Sequence, residues 1–191
     1  GITDSAALAP VRSDSRLYIW QGDITTLKCD AIVNACNSQM LGCFSPMHAC
    51  IDNFIHTYAG MELRLKMHEI MTKQGHEEET GKAKITSGYN LPAKYILHTV
   101  GPIIQWEVTG KEEELLASCY RECLKLAADT GAESVAFCCL STGVFRFPQQ
   151  RAAEIATETV KNYINEDSRI KKVIFNVFKD DDLRIYHALI G

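Results

Sequence analysis

The chain lacks the features that would direct it to a membrane or to a nucleic acid. No apolar run approaches the roughly 20 residues that span a bilayer. The N-terminus, GITDSAALAPVRSDS, lacks the basic start and apolar centre of a secretory signal. No Lys/Arg-rich run is present, and 20 basic against 24 acidic residues give a net charge of -4. We therefore expect no membrane and no nucleic-acid partner, although backbone N–H groups can still bind a small anion.

Cysteine, in contrast, is abundant, with eight residues in a chain of 191. A chain of this length can bury a core of its own and does not need disulfide bonds for stability. The pair Cys138–Cys139 lies in the apolar run SVAFCCL, which is typical of buried thiols. We expect a cytoplasmic protein in a reducing environment, where clustered Cys and His residues bind metal more often than they form disulfides.

Short β-rich runs alternate with helical patterns along the chain. Several strands are almost continuously apolar, as in strands that are covered on both faces. The pattern predicts a three-layer α/β/α sandwich around a mixed, mainly parallel sheet. Strands are predicted at 17–20, 30–35, 83–88, 94–100, 134–140 and 171–178, and helices from 51, over 112–131, over 148–164 and over 181–190.

The domain organisation that the sequence predicts is simple. Residues 1–15 are small and polar and predict a flexible lead-in. Residues 16–191 show no linker or repeat and predict a single, monomeric domain. Gly1-Ile2 is an unusual chain start, and we expect natural residues to precede it.

In a sandwich of this kind a ligand lies outside the carboxyl ends of the strands, so the residues that follow each strand are informative. Asp23, in QGDIT, offers a carboxylate that suits an exocyclic amine such as that of adenine. The alternative is that Asp23 and Thr25 cap a turn. Asn34 and Asn37, in IVNACN, offer amides that suit a sugar diol, or that form an Asx turn instead.

The two later strands add a phosphate-type loop and an aromatic residue. SVAFCCL is followed by the small-residue loop STGVF (141–145), and Pro148 then opens a helix. This sequence of elements is typical of a phosphate site, although no Walker-type GK[ST] follows. Phe178 ends the last strand and is placed either over an aromatic base or in the core. Together the four segments predict a site for a nucleoside diphosphate that carries a sugar.

The segments GDIT, IVNACN, TGKAKITSGYNLPAKYILHTVGP and LSTGVFRFP, in this order, resemble the macrodomain family, which binds ADP-ribose. The resemblance covers about residues 17–180. It implies that Asp23 and the Ile24 backbone hold the adenine and that Asn37 orients the distal ribose, with Asn34 shaping the loop beside it. It also implies that Phe178 packs near the adenine and that the diphosphate is wrapped by Ser141, Thr142, Gly143, Val144 and Phe145.

Residues 42–50, GCFSPMHAC, depart from the glycine run that hydrolytic macrodomains have at this place. From Ile51 onward the chain, IDNFIH, matches the family again. The departure resembles the zinc-containing macrodomains, which remove ADP-ribose from proteins. Cys43, His48 and Cys50 are three ligands that suit Zn²⁺ and would leave its fourth tetrahedral position open, as in catalytic sites.

The zinc interpretation requires residues 42–50 to form a loop. Helical residues two apart point about 200° away from each other, so His48 and Cys50 on a helix could not share one ion. Ser45-Pro46 resembles a helix start, but the apolar stripe begins at Ile51, and we place the start there. The alternatives are three unconnected buried side chains or a Cys43–Cys50 disulfide. His56, a rival ligand, is expected to pack behind the site.

The predicted activity is zinc-dependent hydrolysis of the bond between the distal ribose and a protein side chain, with Asp/Glu linkage by resemblance only. Asn37 would fix the ribose, and Asp52 matches the carboxylate that activates or positions water in the glycine-loop relatives. Beside a metal, Asp52 could instead orient a ligand. The competing function is a module that reads ADP-ribose on proteins without cleaving it and whose zinc is structural.

Overall fold

The structure, a computed structural model, describes residues 1–43 and 50–191. The strands in this part of the chain are β1 (Thr3–Asp4), β2 (Leu17–Gln21), β3 (Leu27–Lys28), β4 (Ala31–Ala35), β5 (Ala83–Ser87), β6 (Tyr95–Thr99), β7 (Ser134–Phe137) and β8 (Lys172–Val177). The helices are α1 (Ile51–Ala59), α2 (Met61–Gln74), α3 (Gly110–Thr130), α4 (Gln149–Glu166) and α5 (Asp180–Ile190). Of the helices described, none is both long enough and apolar enough to cross a bilayer.

The central sheet has six strands in the order β2-β8-β7-β4-β6-β5. Its neighbours run parallel except at the β5 edge, where β5 is antiparallel to β6. Each of the six predicted strands is present, within one to three residues of its predicted ends. The mixed, mainly parallel sheet is therefore confirmed.

Helices cover both faces of this sheet, which explains why several of its strands are almost continuously apolar. Asn34 of β4 and His98 of β6 are register partners and point to the face that carries α1. The next residue, Thr99, points to the opposite face, where Cys119 and Cys123 of α3 lie against it. The α4 helix packs beside α3, and α5 packs beside α4. The predicted three-layer α/β/α sandwich is confirmed.

The helix α1 begins at Ile51, as the apolar stripe predicts. Cys50 is its N-cap, and the Cys50 thiol accepts a hydrogen bond from the Asn53 backbone N–H at 3.4 Å. Asp52 lies in the first turn, where the helix dipole stabilises a negative charge. The competing start at Ser45-Pro46 lies outside the described residues.

The first fifteen residues hold more structure than the predicted flexible lead-in. The strand β1 pairs in parallel with β3, and Asp4 caps a short 3-10 turn over Ser5–Ala7. Lys172 of β8 donates to the Ser5 carbonyl at 3.0 Å. These anchors are backbone contacts made by distant residues, so the composition of the segment gave no sign of them.

Candidate functional site

The four predicted ligand-binding segments meet at one edge of the sheet. Strands β2, β8, β7 and β4 are adjacent and parallel, so their carboxyl ends share this edge. From there β4 leads to α1 on one face, and β7 leads to α4 on the other. The crevice between β4 and β7 is thus a topological switch point, which is where open α/β sheets bind ligands.

The segment after β2 combines a turn cap with an exposed carboxylate. Oδ1 of Asp23 accepts hydrogen bonds from the backbone N–H of Thr25 at 3.0 Å and from its hydroxyl at 2.6 Å. Capping, the alternative interpretation of Asp23, therefore does occur. Both of these bonds end on one oxygen, and the exposed Asp23 can still accept from an amine through Oδ2. The backbone of Ile24, which is buried, begins the capped 3-10 turn.

Phe178 lies beside this segment at the end of β8. Its side chain is 79% exposed, so the core alternative for Phe178 is wrong. Gln21 donates to the Phe178 carbonyl at 3.1 Å, and Gly22 N–H donates to the Val177 carbonyl at 3.2 Å. Gly22 lies close against the Trp20 ring, so that an added Cβ would come within 2.4 Å of the indole. Asp23 and Phe178 therefore border the same end of the crevice.

The loop after β7 is closed upon itself and presents its backbone. Phe147 N–H donates to the Ser141 carbonyl at 2.8 Å, and Arg146 N–H donates to the Gly143 carbonyl at 3.0 Å. Ser141 and Arg146 both have positive φ, an uncommon conformation that is often found at ligand sites. Within the described residues, the N–H groups of 142–145 have no hydrogen-bond acceptor in the protein. They are therefore available to an anion such as a diphosphate.

The two asparagines after β4 have different surroundings. Oδ1 of Asn37 accepts from the backbone N–H groups of Gln39 at 3.2 Å and Met40 at 3.1 Å, so Asn37 forms the Asx turn. Within residues 1–43 and 50–191 its amide nitrogen has no hydrogen-bond partner, so it is available to a ligand. Asn34 is fully buried inside β4 and does not lie in the loop. Its amide contacts protein groups beneath the site.

Those groups form a buried polar cluster. Asn34 Nδ2 donates to Asp52 Oδ1 at 2.9 Å and approaches His98 Nδ1 at 3.2 Å. His98 Nε2 lies 2.9 Å from the hydroxyl of Thr86. No pattern in the sequence indicates a partner for His98. The signal that would have found it is the β4–β6 register, which places it directly opposite Asn34.

Burial sets the charges in this cluster. It raises the pKa of Asp52 to about 6, against an opposing hydrogen bond from Asn34. It lowers the pKa of His98 to about 3 and, with help from Arg64, that of His56 to about 4. Both histidines are therefore neutral near pH 7. His56 Nε2 lies 3.5 Å from Asp52 Oδ1, too far for a good hydrogen bond, so His56 packs behind the carboxylate.

Two of the three predicted zinc ligands lie together beside Asp52. The thiols of Cys43 and Cys50 are close enough to interact with each other and form no disulfide. Burial, and then Cys43, raise the pKa of the Cys50 thiol. His48 lies outside the described residues. Within residues 1–43 and 50–191, no three His, Cys, Asp or Glu side chains form a group that could hold a metal.

Fold and site together define an α/β/α domain with a phosphate-type loop at its switch point. The sequence profile of the macro domain family matches residues 33–156. A protein-ADP-ribose hydrolase of Treponema medium is 56% identical over 193 residues, covering 100% of this chain and 74% of the relative. One of Staphylococcus aureus (strain MSSA476) is 57% identical over 186 residues, covering 97% of this chain and 70% of the relative.

Solved structures show the same similarity. The Trypanosoma brucei macrodomain, solved in complex with ADP-ribose, superposes with a TM-score of 0.85 at 33% identity, covering 100% of this chain and 77% of its own. The Oceanobacillus iheyensis macrodomain with ADP gives 0.82 at 36% identity, covering 95% and 92%. The chain therefore belongs to the macro domain family.

Proposed function

We propose that this chain is a zinc-dependent hydrolase that removes mono-ADP-ribose from modified protein side chains. The carrying observation is the order of the segments along the sheet edge. The Asp23–Phe178 end follows the neighbouring strands β2 and β8. The 141–145 loop follows β7, the next strand along the sheet, and the Asn37 loop follows β4. Three interstrand spacings, roughly 14 Å, separate the first from the last. This order suits a base, a diphosphate and a distal ribose.

The relatives support the same ligand and the same reaction. The T. brucei macrodomain was solved in complex with ADP-ribose, and the bacterial relatives at 56% and 57% identity carry the name protein-ADP-ribose hydrolase. In this chain the Asp23 carboxylate would accept from the adenine amine, and Phe178 would cover the ring. The N–H groups of 142–145 would bind the diphosphate, with Ser141 shaping the start of their loop.

The distal ribose would then lie where this chain concentrates its reactive side chains. Gly42 packs against the His56 ring, where an added Cβ would come within 2.9 Å of Cγ. This contact holds the segment that carries Cys43 against α1, next to Cys50. Asp52 lies in the first turn of the same helix, two residues after Cys50. The ribose end thus brings together two thiols, a buried carboxylate and the Asn37 amide.

Cys43 and Cys50 fit a zinc site, because two thiols that interact with each other are soft ligands already gathered at one point. With His48 they would hold the ion by three ligands and leave one position open. Bound zinc would supply positive charge that lowers the pKa of an oxygen ligand towards neutrality.

The described residues account for the remaining steps. The Asn37 amide would donate to a ribose hydroxyl and fix the sugar, since its own oxygen is held by the Asx turn. The Asp52 carboxylate would orient the attacking water and stabilise the positive charge that develops on the ribose ring. When ADP-ribose is linked to an Asp or Glu side chain of the substrate protein, the group released is a carboxylate, which leaves without needing a proton. This chemistry favours Asp/Glu-linked substrates.

The proposal is tested by metal analysis combined with turnover. Purified protein should hold about one zinc per chain, and Cys43→Ala and Cys50→Ala should lose both the zinc and the release of ADP-ribose. Cys29→Ala is the matched control, because the Cys29 thiol contacts only the Ala31 carbonyl among the described hydrogen bonds, at the other end of β4. Asp/Glu-linked and Ser-linked proteins should be compared as substrates. A zinc-loaded protein that binds ADP-ribose and cleaves neither linkage would be a reader module.

A further inference from the structure

A chain of hydrogen bonds runs from Thr86 through His98 and Asn34 to Asp52. All four residues are buried, and Asn34 and His98 are completely so. The three contacts measure 2.9 Å, 3.2 Å and 2.9 Å. Only Asp52 belongs to the proposed reaction, so the other members of this chain need a separate explanation.

The chemistry of the contacts fixes the proton on His98. The amide nitrogen of Asn34 has two hydrogens and no lone pair to offer, so His98 Nδ1 must be the acceptor. The His98 proton is therefore on Nε2, which donates to the Thr86 hydroxyl. That hydroxyl donates in turn to the Ser87 carbonyl at 3.2 Å. The donors thus follow one direction from Asn34 to Ser87, and His98 is neutral.

The same argument fixes the orientation of the Asn34 amide. The reverse orientation would place the Asn34 oxygen 2.9 Å from Asp52 Oδ1, where two acceptors would repel each other. In the observed orientation that oxygen has no hydrogen-bond partner within the described residues. An unpartnered buried oxygen is unfavourable, so the two bonds made by the nitrogen must hold the amide in place.

We propose that His98 and Thr86 are positioning residues, which lock the Asn34 amide so that it holds the Asp52 carboxylate in one orientation. This inference rests on the proposed function, because it assumes that Asp52 takes part in the reaction. A group held by buried hydrogen bonds does not populate unproductive orientations. Loss of a partner of this kind typically lowers the activity of a site about 10–100-fold. Neither residue touches the substrate in this account.

Thr86 offers a matched pair of variants. Thr86→Val keeps the shape and removes the acceptor, whereas Thr86→Ser keeps the hydroxyl. We expect Thr86→Val to lower kcat roughly tenfold, with KM and ADP-ribose affinity within about twofold of the native values. Thr86→Ser should retain native turnover. Equal loss in both variants, or a loss confined to KM, would overturn the positioning role.

A double-mutant cycle with Asp52→Ala separates positioning from a general structural effect. Thr86→Val should not lower kcat further once Asp52 is absent, because there is then no carboxylate for Asn34 to orient. A tenfold loss in both backgrounds would overturn the inference. If Asp52→Ala is inactive and Thr86→Val is fully active, the inference fails and the proposed function stands. If Asp52→Ala turns over normally, the reactive role of Asp52 fails, and the inference fails with it.

The tautomer provides a readout that is independent of turnover. In a ¹⁵N-labelled sample at pH 7, the His98 ring should show an unprotonated Nδ1 and a protonated Nε2. Thr86→Val should shift the Nε2 resonance, while the exposed His68 ring should not change. A proton on Nδ1, or a doubly protonated ring, would contradict the lock directly.

Discussion

The two ends of the crevice differ in the chemical groups that they present and in how deeply those groups are buried. The Asp23–Phe178 end and the 141–145 loop present exposed side chains and backbone N–H groups, and one oxygen of the Asp23 carboxylate is held by hydrogen bonds within its own turn. The Asn37 end lies over a buried carboxylate, two neutral histidines and a pair of thiols. The first end is suited to recognition and the second to chemistry.

This difference predicts that the two functions can be removed separately. Binding at the first end needs only correctly placed donors and acceptors, which cost little to maintain at a surface. Holding a carboxylate in the interior is unfavourable, so such a group is retained where it does something that an exposed one could not.

The largest effect is expected from Asp52→Ala. Removing a carboxylate that orients water should lower kcat roughly 10²–10⁴-fold. The dissociation constant of ADP-ribose, measured by calorimetry, should change less than about threefold, because the recognition end is intact. A parallel loss of affinity would mean that the two ends are not separable.

The converse change is Asp23→Ala. Loss of a hydrogen bond to a charged acceptor, worth about 1.5–3 kcal/mol, should weaken ADP-ribose binding roughly 10–100-fold while zinc content and kcat are retained. Asp23→Asn is the matched control for folding, because Asn is an equally good cap for the turn over Ile24–Thr26. Native affinity in Asp23→Ala would remove Asp23 from the adenine site.

The buried histidines predict a pH dependence of stability that originates at the reactive end. Burial lowers the pKa of His98 to about 3, so below its unfolded pKa of about 6.5 the unfolded state binds more protons. Its contribution is present above pH 6.5 and is lost as the pH falls, by roughly 2 kcal/mol at pH 5. His56 changes the stability in the same direction as His98. The raised pKa of Asp52 has the opposite effect, because the folded state binds more protons at Asp52 as the pH falls from about 6 to about 4.

Urea unfolding at pH 7 and pH 5 measures this dependence. The free energy of unfolding should fall less steeply in His98→Gln than in the native chain, and His68→Gln, which changes an exposed residue, should leave the slope unchanged. An identical slope in His98→Gln would show that His98 is not held neutral in the folded state.

The smallest effect is expected from Phe178→Ala. Stacking of a base on an exposed aromatic side chain contributes about 1 kcal/mol, so ADP-ribose affinity should fall roughly fivefold with kcat unchanged. Leu65→Ala on α2 removes another exposed apolar side chain and should leave affinity unchanged. No loss in Phe178→Ala would leave the ring without a role in the site.

The strands and loops at the Asp23–Phe178 end and after β7 are predictable from the sequence because their signals are local. A strand, a short loop and a helix start can be read from consecutive residues, and the segments around Asp23 and Ser141 lie where they were expected. The helix start at Ile51 was readable for the same reason, since its apolar stripe begins there.

The Asn37 end is harder to predict because the contacts beneath it depend on the register between β4 and β6. The prediction that Asn34, inside the strand at 30–35, shapes the neighbouring loop is wrong, because its side chain lies on the interior face of β4 beside His98. Pairing β4 with β6 is a long-range fact that a single sequence does not give. His98 and Thr86 were missed for that reason. The zinc assignment still rests on His48, which lies outside the described residues.

The division between recognition and chemistry is tested most directly by removing the metal alone. Release of ADP-ribose from a mono-ADP-ribosylated protein should be measured in single turnover with native protein, with chelator-treated protein and after zinc is restored, alongside ADP-ribose affinity. We expect the rate to be lost and then recovered while the affinity remains within about threefold. Full-rate hydrolysis by protein shown to contain no zinc would contradict the account.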